Sequence, residues 1–325
     1  MKVVVTDYIE PHLEWEAAEM ARRGIEFAAY QLKFTSAERV IEATRDADVV
    51  VVNMVPVTAE IVSGWEHCRL LIRHGVGYDN VDLAALERAG IPCCYIPDYC
   101  TEEVAEHAIM LMLACARRIE TSRKVLDDSS RRGQWDFADV IPIWRIAGRT
   151  VGILGCGRIG SRVYQKLQSF GVDFRIVDPY LSEERKRELG IEVVDLETML
   201  RASDYVTVHT PLTRETRHIV NRRTLAMMKP TAYLVNTSRG PMVDTEALAE
   251  ALNQGTIAGA AIDVFEREPP PPDHPLFSAR NVILTPHLAW YSEDAAWRIR
   301  ELIVLEIDRF AAGLPPRYVA KAEAP

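Results

Sequence analysis

"TVGILGCGRIGSRVYQKLQSFGVDFRIVDPY" runs from Thr150 to Tyr180. An apolar run opens it and leads into Gly155-Cys156-Gly157-Arg158-Ile159-Gly160, which fits the pattern G-x-G-x-x-G. A helical segment follows as far as Gly171, and a second apolar run closes on Asp178. The glycines alone would specify only a turn. Strand, turn, helix and strand together are the setting in which such a turn binds a dinucleotide. Gly155 permits the tight turn, Gly157 lets backbone approach a pyrophosphate, and Gly160 lets the helix pack closely on the strand. The helix N-terminus offers unpaired N–H groups to the anion, and Arg158 adds positive charge there. Asp178 can accept the ribose hydroxyls and would repel a 2′-phosphate, so NAD is expected rather than NADP.

The same alternation extends outward in both directions. Short runs rich in β-branched residues, such as "KVVVTD", "DVVVVN", "RLLIRHG", "YVTVHT", "AYLVNTS", "GAAIDVF" and "NVILTP", are separated by helical segments. Runs this apolar suit parallel strands covered on both faces. The fold class expected is α/β, with two doubly wound domains, Rossmann-like or flavodoxin-like, and a cleft between them. Because the fingerprint lies mid-chain, the dinucleotide domain reads as an insertion. The expected boundaries are 1–99 with 289–325 for a discontinuous substrate domain, and 100–288 for the NAD-binding domain. Thr101 to Glu120 reads as one helix, apolar on nearly all sides, and suggests a dimer formed through the dinucleotide domain. Ser292 to Phe310 reads as the last long helix, and the terminal "KAEAP" as a loose tail.

The 325 residues are 48% hydrophobic, ample for more than one core. A net charge of −9 argues against nucleic acid or an anionic membrane surface as partner. No apolar run reaches the length of a membrane span, and the N-terminus reads as a first strand, not a signal peptide. The six cysteines lack paired spacing, so reduced, buried thiols in a cytoplasmic protein are expected, and no metal.

In doubly wound sheets ligands bind beyond the carboxyl ends of the strands. Arg239 follows "AYLVNTS", Glu268 lies shortly after "GAAIDVF", and His287 follows "NVILTP". Reduction of a keto acid needs a cation to hold the carboxylate and polarise the carbonyl, and an acid to protonate the forming alkoxide. Arg239 suits the first role through its fixed fork of donors. His287 suits the second, because imidazole titrates near neutrality, and a neighbouring Glu268 would favour the imidazolium. Read alone, His287 fits a loop or core histidine equally well, and Glu268 a solvated loop residue.

Six stretches, "HGVGYDNVD", "TEEVAEHAIMLML", "GILGCGRIG", "NTSRGPMVD", "AAIDVFEREP" and "TPHLAW", are spread along the chain from His74 to Trp290. In this order they resemble the D-isomer-specific 2-hydroxyacid dehydrogenase family. The resemblance implies Arg239, Glu268 and His287 as the catalytic set. The formate-oxidising branch carries glutamine at the histidine partner's place, so Glu268 speaks against that branch. The resemblance further implies cofactor contacts from His209-Thr210-Pro211, from Thr237 and Ser238, and from Asp263 near the nicotinamide amide, with Val76 and Val104 approaching the nicotinamide. His209 is then a cofactor contact, and His274 a solvated loop residue.

On the substrate side, Gly75-Val76-Gly77 can form an anion-binding nest opposite Arg239. Arg73 and the Asn53-Met54 loop add contacts. "AWYSE" and "DPYLS" resemble the C-terminal-binding-protein corepressors within the family, where a tryptophan lies over the pocket; this implies that Trp290 sets substrate size. The chain has no long tail after its last helix, unlike those corepressors. The expected reaction is therefore reversible reduction of a 2-oxo acid to the (R)-2-hydroxy acid. An NAD(H)-sensing binding protein and a phosphite-type dehydrogenase stay open as alternatives.

Overall fold

The structure, a computed structural model, describes residues 1–321, so all of the "KAEAP" tail but Lys321 lies outside the described residues. The chain divides into two compact units, Met1–Cys100 with the segment from Ser292 onward, and Thr101–Tyr291.

The first unit is built on a five-stranded parallel sheet of β1 (Lys2–Val5), β2 (Glu26–Ala29), β3 (Val49–Val52), β4 (Leu70–Arg73) and β5 (Cys93–Tyr95). Their order is β2-β1-β3-β4-β5, the flavodoxin arrangement. Alternate residues face opposite layers. Val3, Val5, Val49, Val51, Leu70 and Ile72 pack with Met20, Ile299, Ile303 and Ile307, while Val4, Val50, Val52 and Leu71 pack with Val40, Ile61 and Leu86. Covering on both faces is why these strands are apolar at nearly every residue. The Glu293–Ala311 helix belongs to this unit, and the Ser292 hydroxyl caps it by accepting from the Ala295 N–H at 2.9 Å. Replacing a buried side chain on its inner face, such as Ile303, by alanine should cost about 2–5 kcal/mol.

The second unit carries β6 (Thr150–Leu154), β7 (Asp173–Val177), β8 (Tyr205–Val208), β9 (Tyr233–Asn236), β10 (Gly259–Ile262) and β11 (Val282–Leu284). All pairs are parallel, in the order β11-β10-β9-β8-β6-β7, and Val193 adds a single bridge beside β7 at Ile176. The successive crossovers run outward to either side of β6. The end of β6 is therefore the switch point at which such sheets bind ligands.

Three features differ from the reading of the sequence. β2 and β5 were not among the apolar runs: the first is a half-exposed edge strand and the second only three residues long. The helix from Thr101 ends at Ala116, and a separate helix runs from Ile119 to Arg131. At the break Arg118 turns left-handed (φ 49°) and its guanidinium donates to the Val140 carbonyl at 3.1 Å. The apolar surface of the Thr101–Ala116 helix is largely used inside its own unit, where Ala105, Ala108, Leu111 and Met112 pack against Ile153, Val163, Val235 and Ala261.

Candidate active site

The fingerprint turn is built by close approach. Gly155 has φ 89°, and a Cβ there would lie 2.6 Å from the Thr210 amide nitrogen. A Cβ on Gly160 would lie 2.0 Å from the Gly155 carbonyl oxygen, so only glycine lets this helix start so close to β6. A Cβ on Gly157, by contrast, would meet nothing within 4 Å, leaving open space over the start of the Arg158–Leu167 helix. Ile159 is half-buried behind it and Arg158 stands exposed in the first turn. The Asp178 carboxylate closes the turn from β7, accepting from the Cys156 N–H at 2.8 Å and the Tyr180 N–H at 3.0 Å.

The loop after β8 completes this rim. The Ser238 hydroxyl donates to the Thr210 carbonyl at 2.6 Å, which joins His209-Thr210-Pro211 to the loop after β9. His209 pairs through Nε2 with the Thr207 hydroxyl at 2.9 Å, and burial pushes it down to about 3, so it is neutral near neutral pH. The buried hydroxyl of Thr237 has no hydrogen-bond partner among the described residues. Open space above Gly157 and an orphaned buried hydroxyl beside the same loops fit a bound dinucleotide.

Arg239, Glu268 and His287 come together at the ends of β9, β10 and β11. The Asn236 side chain accepts from the Ser238 N–H at 3.0 Å and donates to the Arg239 carbonyl at 2.9 Å, which shapes the turn that presents Arg239. Gly240 then packs so tightly on Phe265 that a Cβ would lie 1.9 Å from its carbonyl carbon. One oxygen of Glu268 accepts from the Phe265 N–H at 3.0 Å, and the other lies 2.7 Å from His287 Nδ1. Burial pushes the Glu268 carboxyl up, but the His287 hydrogen bond and charge, the Phe265 N–H and the Arg239 charge outweigh it and hold it below its ordinary value. His287 sits at φ 53°, a strained conformation for a side chain with a Cβ.

Asp263 proves to be the residue that holds this loop. Its carboxylate is fully buried and accepts from the Leu288 N–H at 2.9 Å, the Ala289 N–H at 3.0 Å and the Thr285 hydroxyl. Its carbonyl accepts from the His287 N–H at 2.7 Å. His107, on the Thr101–Ala116 helix, joins the group: its Nε2 lies 3.2 Å from Thr285 Oγ1 and 3.5 Å from the Asp263 carboxylate. Sequence reading assigned nothing to His107 or Thr285; the only signal was a histidine on a helix whose other polar residues, Thr101, Glu102, Glu103 and Glu106, all precede it. Val104, three residues before it, is buried. Trp290 is half-buried and meets Tyr291 edge-on at 5.3 Å. His274, expected in solvent, is buried instead: its Nδ1 accepts from the Leu276 N–H, and Phe265 and Phe277 flank its ring.

The remaining expected substrate residues lie in the first unit. Buried Asp7 holds the Asn53-Met54 loop, accepting from their N–H groups at 3.2 and 2.6 Å. The Gly75 N–H is engaged by the Arg73 carbonyl at 2.9 Å, which leaves only Val76 and Gly77 of that turn to form a nest. The Arg73 guanidinium lies over Gly75, where a Cβ would meet it at 2.3 Å.

Comparison with known proteins gives the family. Residues 109–289 match the family model "D-isomer specific 2-hydroxyacid dehydrogenase, NAD binding domain". Glyoxylate reductase of Korarchaeum cryptofilum is 40% identical over 286 residues, 86% of this chain and 85% of that protein. The chain belongs to the D-isomer-specific 2-hydroxyacid dehydrogenase family. Its fold matches that of D-lactate dehydrogenase from Aquifex aeolicus complexed with NAD and lactic acid, at TM-score 0.83, 29% identity and 96% coverage of both chains. It likewise matches NAD-dependent formate dehydrogenase from Staphylococcus aureus in complex with NAD, at TM-score 0.85 and 30% identity, with 100% of both chains covered. The dehydrogenase is thus an NAD-dependent oxidoreductase of the 2-hydroxy acid and 2-oxo acid class. Among the described residues no helix is long and apolar enough to cross a membrane, and no group of three or more side chains could hold a metal ion.

Proposed function

We propose that the dehydrogenase reduces a small 2-oxo acid, glyoxylate or a close analogue, to the (R)-2-hydroxy acid, with His287 as the general acid. The observation that carries this is the 2.7 Å contact of His287 Nδ1 with a Glu268 carboxylate that Arg239 also stabilises. With Nδ1 engaged, Nε2 is the ring nitrogen left to reach a substrate oxygen. Reduced nicotinamide, when bound, supplies the hydride. Arg239 grips the substrate carboxylate and draws charge from the carbonyl. Protonated His287 gives its proton to the alkoxide oxygen as it forms, and Glu268 holds the ring in place. In oxidation neutral His287 takes that proton back.

The dinucleotide lies over Gly155, Gly157, Arg158, Ile159 and Gly160, with Asp178 on the ribose. His209, Thr210, Pro211, Thr237 and Ser238 line its path. Val76, Val104 and Asp263 are assigned to the nicotinamide and Trp290 to the substrate by resemblance, and Asn53, Met54, Arg73, Gly75 and Gly77 are assigned to the substrate as a nest and its neighbouring loops. A pairing glutamate at position 268 argues against formate as substrate. Glyoxylate reductase as a 40% identical relative is what favours a small 2-oxo acid. NADH oxidation should be assayed against glyoxylate, pyruvate, hydroxypyruvate, 2-oxoglutarate, aromatic oxo acids and, in reverse, phosphite. Turnover of a 2-oxo acid is expected; tight NADH binding with no turnover of any would overturn the reading in favour of a sensor. Asp178→Ala should narrow the preference for NADH over NADPH, and an unchanged ratio would show that another residue sets it.

The protein is further proposed to be a cytoplasmic homodimer joined through the second unit. The support is an exposed apolar stretch after the Ile119–Arg131 helix, where Trp135 and Phe137 are 84% and 61% exposed and Ile141 and Trp144 more than half so. Trp135→Ser with Trp144→Ser should shift the mass in solution from dimer to monomer; a wild-type protein that is already monomeric rules this out.

A further inference from the structure

We propose that His107 is a positioning residue for His287, acting through Asp263 and Thr285. This rests on the reading of His287 as the proton donor and adds a residue to which no role has been given.

The loop that carries His287 is held almost entirely by one residue. Asp263 takes the N–H groups of residues 287, 288 and 289, the first on its carbonyl and the others on its carboxylate. Three consecutive amides on one residue fix the backbone where His287 adopts its left-handed φ of 53°. A non-glycine residue stays in that region only when its surroundings over-determine it. The arrangement has a physical cost. The Asp263 carboxylate is 0% exposed, and a buried charge needs donors on its free lone pairs.

His107 supplies the donor that comes from outside the loop. Its Nε2 reaches Asp263 Oδ1 at 3.5 Å and Thr285 Oγ1 at 3.2 Å, and its side chain is only 14% exposed. The Thr285 hydroxyl donates to the same carboxylate oxygen. One nitrogen thereby ties the Thr101–Ala116 helix to the residue that follows β10 and the residue that follows β11. The helix buries Ala105, Ala108 and Met112 in the unit's core, so His107 is carried on a rigid support. Loss of that anchor leaves the Asp263 charge less compensated and lets the 285–289 turn relax. A shift of His287 on the order of an ångström then lowers the rate without touching substrate or dinucleotide directly.

The test compares His107→Ala, His107→Gln and His107→Asn in the full chain with NADH and the best 2-oxo acid. The glutamine amide reaches the place of Nε2; the asparagine amide falls short, near Nδ1. His107→Ala and His107→Asn should lower kcat about tenfold, with KM for both substrates within about twofold, and His107→Gln should recover most of the loss. Thr285→Val removes the hydroxyl from the other end and should lower kcat in the same way, which keeps the test open if His107→Ala does not fold. Wild-type kcat in His107→Asn or Thr285→Val overturns the proposal. So does equal loss in the Gln and Asn variants with both KM values raised, the mark of general damage. His287→Ala is assayed beside them. If that variant keeps its activity, the reading of His287 falls; if it is inactive while the His107 variants are normal, only the present inference falls.

Discussion

Two of the protein's histidine–glutamate pairs, one from each unit, are built for different ends. In the first unit His74 Nε2 lies 3.1 Å from Glu10 Oε1, with the two side chains 10% and 8% exposed. In the second, His287 Nδ1 lies 2.7 Å from Glu268 Oε2, with exposures of 42% and 25%. Both glutamates are held below the ordinary carboxyl value against the upward push of burial, and Glu10 is held further, to about 2. The pair alone therefore does not mark the chemistry. What separates them is access and company: His287 is open on its far side, strained in its backbone and neighboured by Arg239, whereas His74 is sealed. A sealed ion pair serves as a fastener, because removing one partner strands the other charge away from water.

The largest expected effect breaks the open pair. His287→Ala should lower kcat by about 10²-fold or more with NADH affinity largely kept; near-normal turnover would remove the distinction between the two pairs. Glu268→Gln keeps the hydrogen bond but deletes the charge. It should lower kcat about tenfold, and the pH at which reduction fails as pH rises should move down. An unchanged pH–rate profile would show that the carboxylate only orients the ring.

Glu10→Gln should leave kcat near wild type and act on stability. The Glu10 carboxyl falls from 4.5 to about 2 on folding, so its stabilisation is full above 4.5 and is lost as pH falls toward 2. Denaturant melts across that window should show a shallower loss of stability in the variant than in wild type; identical slopes would mean the pair is not the fastener described. The smallest effect is expected at His209, which burial pushes down to about 3 and so keeps neutral near neutral pH. His209→Asn should leave the pH dependence of kcat between about pH 5 and 8 unchanged, and an altered profile there would put a second histidine into the proton chemistry.

Much of this was legible in the sequence, for reasons particular to each part. The fingerprint between Gly155 and Gly160 could be read because a local turn, its helix and its next strand lie within thirty-odd residues. Arg239, Glu268 and His287 could be grouped because parallel strands bring their carboxyl ends to one rim, so position after a strand stands in for position in space. β2 and β5 could not be read, since Glu26-Phe27-Ala28-Ala29 and Cys93-Cys94-Tyr95 contain no β-branched residue, the mark by which the equally short strands were found. The break at Arg118 was hidden because helical character resumes at once beyond it. His107 was illegible for a deeper reason. Its partner Thr285 is 178 residues away, and nothing in the pattern of a mostly apolar helix says which polar residue its one histidine will meet.

The cysteines give the molecule a clock for each half. All six are buried and unlinked, and burial pushes Cys68, Cys93 and Cys94 of the first unit and Cys115 of the second up to about 12. Thiols so rarely ionised in the folded chain react with alkylating reagents almost only when the surrounding structure opens. The rates at which Cys93 and Cys115 are capped therefore time the breathing of the two units separately within one unmutated chain. Cys156, pushed to about 11 in the middle of the fingerprint, times the opening of the turn where the dinucleotide is proposed to lie.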